Sequence, residues 1–313
     1  MRYNIEDLNR NLRHDPKAFI AKCESEYDSH VEKAAAAIAA NLSKSPIVLL
    51  SGPSGSGKTS TAFKLEQKLE ERGIISHTVS IDDYFKTVDL RTSPRTPEGE
   101  LDYESPHCVD MDLLNEHFDH LNEGKEIHIP RFLFSRQKRS ANIVKKLKLK
   151  ENEIAIFEGI HALNDEITAP HPEAEKIYIS ANAELYDSDS DDCFPGTWLR
   201  LMRRVVRDER YRGASAAYTI DIWDNVLRGE RLYIDPFKDR ADISINSALL
   251  YEVSVMKQYA APLFLSLPAD HKQRQEISEI LEALERFIDI PADLIPSDSL
   301  LREFIGGSVY FNQ

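Results

Sequence analysis

The chain has 313 residues, of which 42% are apolar and 29% charged, and a formal net charge of −14. That length accommodates one large domain or two modest ones around a real core. The acidic balance argues against a general duplex-binding surface, because affinity for nucleic acid comes largely from neutralising phosphates. Three cysteines (Cys23, Cys108 and Cys193) with no C-x-x-C pair argue against a disulfide framework or a zinc site and fit a reducing compartment. No apolar run approaches the ~20 residues that span a bilayer, and "MRYNIEDLNRNLRHD" is too polar for a secretory signal. A cytoplasmic protein with no membrane partner is expected.

Residues 1–45 read as a helical lead, in which "HVEKAAAAIAANL" is rich in alanine, the best helix former. "SPIVLLSG" is a short apolar run ended by glycine, as a buried strand would be. "KTSTAFKLEQKLEERG" follows as a helix with Ala62, Phe63, Leu65 and Leu69 near one face and Gly73 as its stop. "ISHTVSIDD" is a second strand ending in carboxylates. Lys86 to Pro106 is polar and punctuated by proline, and reads as a long surface loop. "VDMDLLNEHFDHLNEG" is a helix; "EIHIPRFLF" and "NIVKKLKLK" suit strands; "EIAIFEG" and "EKIYISA" are two more apolar strands. The acidic run at 187–192 lacks the glycine and terminal glutamate of a calcium loop and reads as solvated. "TWLRLMRRVVRDERYRG" is a basic helix, "DISINSALLYEVSVMKQYA" a strand and a helix, and "EISEILEALERFI" an amphipathic helix in a tail over 269–313. Strands alternating with helices predict a doubly wound, mostly parallel α/β sheet with helices on both faces.

"GPSGSGKT", Gly52 to Thr59, meets G-x-x-x-x-G-K-[ST] at every fixed position. The spacing has a physical reason. Glycines accept backbone angles that other residues resist, so successive N–H groups of Gly52, Ser54, Gly55, Ser56 and Gly57 turn inward around a polyphosphate. They do so at the positive end of the following helix, where Ser60 lies. Lys58 reaches the outer phosphates and the Thr59 hydroxyl ligates Mg²⁺. The expected ligand is therefore a nucleoside triphosphate, with ATP and GTP both open.

Asp82 and Asp83 end the second strand, and the carboxyl ends of strands line the ligand crevice of a doubly wound sheet. One of them is placed to take a proton from an acceptor hydroxyl; the alternative is a pair of capping aspartates. Glu158 ends another apolar strand and suits the second acid that holds Mg²⁺. Arg200, Arg203, Arg204 and Arg207 follow i, i+3, i+4, i+7 spacing and crowd one helix face. They form either a lid over the triphosphate or a solvated basic face, or they contact the acidic run nearby.

Taken together, the ordered set resembles the uridine kinase and phosphoribulokinase family of P-loop kinases, from about Pro46 to Lys257. In "SIDDYF" the resemblance assigns Asp82 as acceptor base, near Mg²⁺, and Tyr84 to the substrate pocket. "LDYESP" supplies Asp102 for the acceptor's hydroxyls. "IPRFLF" places Phe132 and Phe134 beside the base, "FEG" gives Glu158 at the metal, and "RLMRRVVRD" gives a lid over about 197–240. In that lid Arg203 would act at both substrate and transferring phosphate, with Arg200, Arg204 and Arg207 on ATP. The lid continuation and the tail "IPSDSLLREFIGGS" look similar to a bacterial branch of uridine or nucleoside kinases. Members of that branch often carry extra N-terminal domains like the editing part of a tRNA synthetase; here only the helical lead is expected.

One departure bears on the acceptor. Uridine–cytidine kinases place a tyrosine where Phe132 sits and a histidine where this chain reads "SRQKR". Arg131, Arg136, Lys138 and Arg139 there are either surface charge or readers of an anionic or highly hydroxylated acceptor. The expectation is a kinase of the 5′-hydroxyl of uridine or cytidine, with Mg²⁺, a small-molecule acceptor and a nucleoside triphosphate as partners. Relatives assemble, so a homo-oligomer is compatible. The competing readings are a kinase of another sugar, polyol or vitamin, and a P-loop switch, against which stands the lack of an N-K-x-D motif.

Overall fold

The computed structural model describes residues 2–142, 145–187 and 193–310. Residues 188–192, which carry most of the acidic run, lie outside the described residues. The lead is two helices, α1 (Ile5–His14) and α2 (Pro16–Asn41). Asn4 caps the first by accepting from the Asp7 amide, and Asp15 caps the second from the Ala18 amide, with Pro16 in the first turn where a missing N–H costs nothing. Helix α2 buries Phe19, Ile20, Cys23, Tyr27, Val31, Ala34, Ala35 and Ile38, a three-to-four-residue rhythm that makes one apolar stripe.

The central sheet has five strands: β1 (Ile47–Ser51), β2 (Ile75–Ser80), β3 (Glu153–Glu158), β4 (Glu175–Ser180) and β5 (Ile243–Asn246). Their order across the sheet is β5-β4-β1-β3-β2, and every pairing is parallel. The sheet separates two cores, and strand alternation decides which residue joins which. Val48 and Leu50 of β1, Ile154 and Ile156 of β3, and Ile177 and Ile179 of β4 point into one. Ile47, Leu49, Ala155, Phe157 and Tyr178 point into the other. Each fully buried aliphatic or aromatic side chain contributes about 2 kcal/mol before chain entropy is counted.

The first core also holds the lead, helix α3 (Lys58–Glu70), helix α5 (Gly196–Arg207), helix α7 (Glu252–Leu265), and the tail with α8 (Arg274–Leu284) and the short α9 (Arg302–Ile305). The second core lies under helix α4 (Met111–Asn122) and the polar loop. That loop has its ends joined: the Lys86 amide donates to the Cys108 carbonyl at 2.7 Å, and Phe85 and Val109 bridge. Helix α6 (Trp223–Tyr233) crosses beside it, with Gly229 against the loop where a Cβ would lie 2.3 Å from Glu104 Cβ. Of the two strand segments read after α4, Ile127–Ile129 pairs antiparallel with Lys145–Leu147, and Phe132–Leu133 with Lys138–Arg139.

Candidate active site

The carboxyl ends of β1, β2 and β3 meet, because the parallel register aligns Leu50 and Ser80 with Glu158. The phosphate loop leaves β1 there. Gly55 and Gly57 have φ of +77° and +83°, which only glycine adopts freely. Helix α3 starts at Lys58 with Gly57 as its cap and no capping side-chain bond, so the amides of Lys58 and Thr59 are available to an anion. The Lys58 ammonium donates to the Gly52 carbonyl at 2.8 Å and to Pro53 at 3.2 Å. Burial pushes its pKa down, while Glu158 and Asp82 act in the opposite direction. Thr59, half-buried, follows it.

Asp82 lies on the tight turn Ile81–Tyr84 after β2. It is exposed to solvent, yet the protein packed around its carboxylate desolvates it and raises its pKa against the lowering effect of Lys58. Glu158 is raised by burial first and by the Asp82 charge second. Asp82, whose charge raises the Glu158 pKa, Glu158 itself and the Thr59 hydroxyl are hard-oxygen donors of the kind that suit Mg²⁺ shared with phosphate oxygens.

Asp102 is buried. Its carboxylate pairs with Arg228 at 2.7 Å and accepts from the Tyr233 hydroxyl at 3.4 Å. It borders a cavity of about 140 Å³ lined also by Phe85, Lys86, Tyr103, His107 and Phe132. Glu104, two residues on, is pushed up to about 7 by burial, with Asp82 and Asp102 adding to the rise and Arg204 opposing it. His161, just past "FEG", is pushed down to about 3 by burial and is neutral.

Several expected site residues are placed otherwise. Tyr84 does not reach the pocket: it is fully buried, and its hydroxyl and His117 Nδ1 are 2.8 Å apart in the second core. Phe134 is 53% exposed and does not line the cavity; it packs edge-on against Phe85 and Phe132. Ser60 donates its hydroxyl to Glu303 at 2.5 Å rather than standing free for phosphate. The largest correction concerns the arginines. Arg203 is 0% exposed; it forks onto Glu252 at 2.8 and 2.9 Å and donates to the Gly55 carbonyl at 3.1 Å. Arg200 pairs with Glu230 at 2.8 Å and donates to the Ser54 carbonyl at 3.2 Å. Both brace the loop from behind. Neither lies over it as a lid.

The crowding of like charge on α5 is thus answered from within, by Glu230, Glu252 and Asp208. Arg204 and Arg207 pair with Asp208, and Arg204 also donates to the Ser54 hydroxyl at 3.0 Å. The charge of Arg207 is felt at Lys58 and Asp82, and that of Arg212 at Asp82. Arg212, 60% exposed along its side chain, ends a π-helical turn at Asp208–Arg212, a geometry frequent at functional sites. Arg212, Arg228, Tyr233, Glu104 and His161 were not singled out as site residues from sequence. Only His161, two residues past a strand-end "EG", carried a local signal.

A polyphosphate cradle and a row of carboxylates sharing one edge of a parallel sheet are the parts of a P-loop phosphotransferase. The chain belongs to the phosphoribulokinase / uridine kinase family, whose model matches residues 47–254. It is 32% identical over 205 residues to a uridine kinase of Macrococcus caseolyticus, covering 65% of this chain and 89% of that one. It is 30% identical over 203 residues to a uridine kinase of Staphylococcus aureus, covering 64% and 86%. Among solved structures it is similar to the D-glycerate 3-kinase of Cryptococcus neoformans, at 15% identity and a TM-score of 0.45, over 69% of this chain and 92% of that one. The protein is a small-molecule kinase, a phosphotransferase with an alcohol acceptor.

Proposed function

We propose that the protein transfers the γ-phosphoryl of ATP, or of GTP, to the 5′-hydroxyl of uridine or cytidine. The observation that carries this reading is the cavity bordered by Asp102 and by Phe85, which follows Asp82 by three residues. It offers a buried carboxylate for ribose hydroxyls and an aromatic wall, Phe85 and Phe132, for a planar base. The amides of Gly52 to Thr59 and the Lys58 ammonium hold the triphosphate. Asp82 orients the acceptor hydroxyl and takes its proton; its raised pKa moves it toward the range in which a carboxylate base works. Mg²⁺, held by Thr59 with Glu158 and Asp82, would neutralise phosphate charge. Arg204, Arg207 and Arg212 bring positive charge to the same edge and help to exclude water, which would otherwise divert the phosphoryl group to hydrolysis.

A second acceptor, another hydroxylated metabolite such as a sugar or polyol, is favoured by one observation. Phe132 is buried and has no hydroxyl with which to read a pyrimidine, and a pocket discriminates strongly by pairing polar groups. The test is ADP release from Mg·ATP with a panel of nucleosides, sugars and polyols, with Asp82→Asn beside the native enzyme. Phosphorylation of uridine or cytidine, lost by about 10³-fold in the variant, is expected. Activity on a different hydroxyl compound would replace the acceptor. ADP release that ignores every acceptor and survives Asp82→Asn would overturn the kinase mechanism.

A further inference from the structure

The phosphate loop is gripped by a segment that the family match does not include. Residues 299–305 lie beyond 47–254, yet three of them lead to the loop or its helix and a fourth to the N-terminal lead. Leu300 covers Gly57, where a Cβ would stand 2.6 Å from the leucine Cδ1. Glu303, buried, accepts from the Ser60 hydroxyl at 2.5 Å and from the Ser60 amide at 3.3 Å. Phe304 places its ring 5.2 Å from the Arg203 guanidinium, whose Nη1 donates to the Gly55 carbonyl. Ser299 lies 3.2 Å from the Tyr251 hydroxyl, which donates to Glu24 of the lead.

Glu303 is an unusual residue to find here. An isolated carboxylate removed from water is costly, and among the described residues no lysine or arginine lies within ion-pair distance of it. Its partners are instead donors in the first turn of α3, where the helix dipole favours negative charge. The same positive end must receive the triphosphate. A second anion there weakens phosphate binding unless it does something in return. What it does is fix the turn: Ser60 follows directly on Lys58 and Thr59, so its two bonds to Glu303 set how those side chains and the loop amides are aimed.

We propose that Glu303 is a positioning residue for the nucleotide, acting through Ser60 to hold the first turn of α3 and the phosphate loop in their binding geometry. The proposal rests on the reading of this loop as the nucleotide site and is independent of which acceptor is used. The test is calorimetric binding of Mg·ATP to the full chain, compared with Glu303→Ala and Glu303→Gln. Glutamine keeps an acceptor for the Ser60 donors and removes the charge. The expected result is at least a tenfold loss of Mg·ATP affinity in Glu303→Ala and recovery to within about threefold of native in Glu303→Gln. In turnover the alanine variant raises the nucleotide KM and leaves the acceptor KM unchanged.

Native Mg·ATP affinity in Glu303→Ala overturns the proposal. So does a glutamine variant as impaired as the alanine one, because charge and not positioning would then be at work. Equal rises in both KM values would reduce Glu303 to a general packing role. If Glu303→Ala does not fold, Ser60→Ala replaces it, with a loss of about threefold expected and native affinity overturning the proposal. Should native protein fail to bind Mg·ATP at all, it is the nucleotide site that falls.

Discussion

The donor side and the acceptor side of this cleft are built by opposite means. The phosphate loop is held by buried groups reached from distant parts of the chain: Arg200 and Arg203 on its carbonyls, the Ser247 hydroxyl on the Ser56 carbonyl at 2.6 Å, and Glu303 on Ser60. The lead adds the Tyr27–Thr61 hydroxyl contact at 2.7 Å and the Asp28–Lys64 ion pair at 2.6 Å. Opposite stands a long polar loop, joined at its ends and tied at Asp102 to Arg228, beside exposed Phe134 and exposed Arg131 and Arg136. Phosphoryl transfer to different acceptors needs the same triphosphate geometry each time, so the donor side is rigid.

The comparison is most exposed to failure at Arg203. Replacing it by methionine leaves Glu252 as a lone buried carboxylate and is expected to cost about 3–5 kcal/mol in denaturant unfolding. A loss below about 1 kcal/mol would mean the donor side is not held this way. Next is His117, under the acceptor side. Burial depresses its pKa from 6.5 to about 4, so the unfolded chain takes up its proton at a higher pH than the folded one. The stability it contributes is whole above pH 6.5 and drains as pH falls through about 4, on the order of 3 kcal/mol. His117→Gln, which can still pair with the Tyr84 hydroxyl, should flatten that part of the stability–pH curve. An unchanged slope would assign acid sensitivity elsewhere.

Asp102→Asn should raise the acceptor KM by about thirtyfold, near 2 kcal/mol, and leave Mg·ATP binding within about twofold. Equal damage to both would join the two sides into one unit. The smallest effect is predicted for Phe134→Ala. Stability should move by no more than about 0.5 kcal/mol, while the ranking of acceptors in the panel shifts. An unchanged ranking would remove Phe134 from the acceptor side.

The helices, the five parallel strands and the cradle were legible because each is encoded locally, by period, by glycine and by the fixed spacing of "GPSGSGKT". That Asp82 and Glu158 stand at strand ends was legible for the same reason: a strand end in such a sheet is a place in space as well as in sequence. Tyr84 was misplaced because the turn at Ile81–Tyr84 advances about three residues per turn. Ile81 and Tyr84 therefore both face inward, while Asp82 between them faces the cleft. The arginines were misread because their meaning depends on partners 30 and 49 positions away, Glu230 and Glu252. Nothing in the spacing of α5 reports which carboxylates folding will bring to it, and the same holds for Arg228 with Asp102.

The joined ends of the acceptor loop carry a consequence for how such an enzyme can diverge. Once Lys86 and Cys108 are tied and Phe85 and Val109 bridged, the chain between them is a closed excursion. Its closure entropy grows only logarithmically, so that doubling its length costs about 0.6 kcal/mol. Insertions and deletions in its exposed stretch at 97–100 should be nearly neutral for folding, whereas the stretch that holds buried, ion-paired Asp102 is fixed. A mutation at Gly57 enjoys no such freedom. On the proposed reading, the length of the loop's exposed stretch can change without disturbing the phosphate machinery.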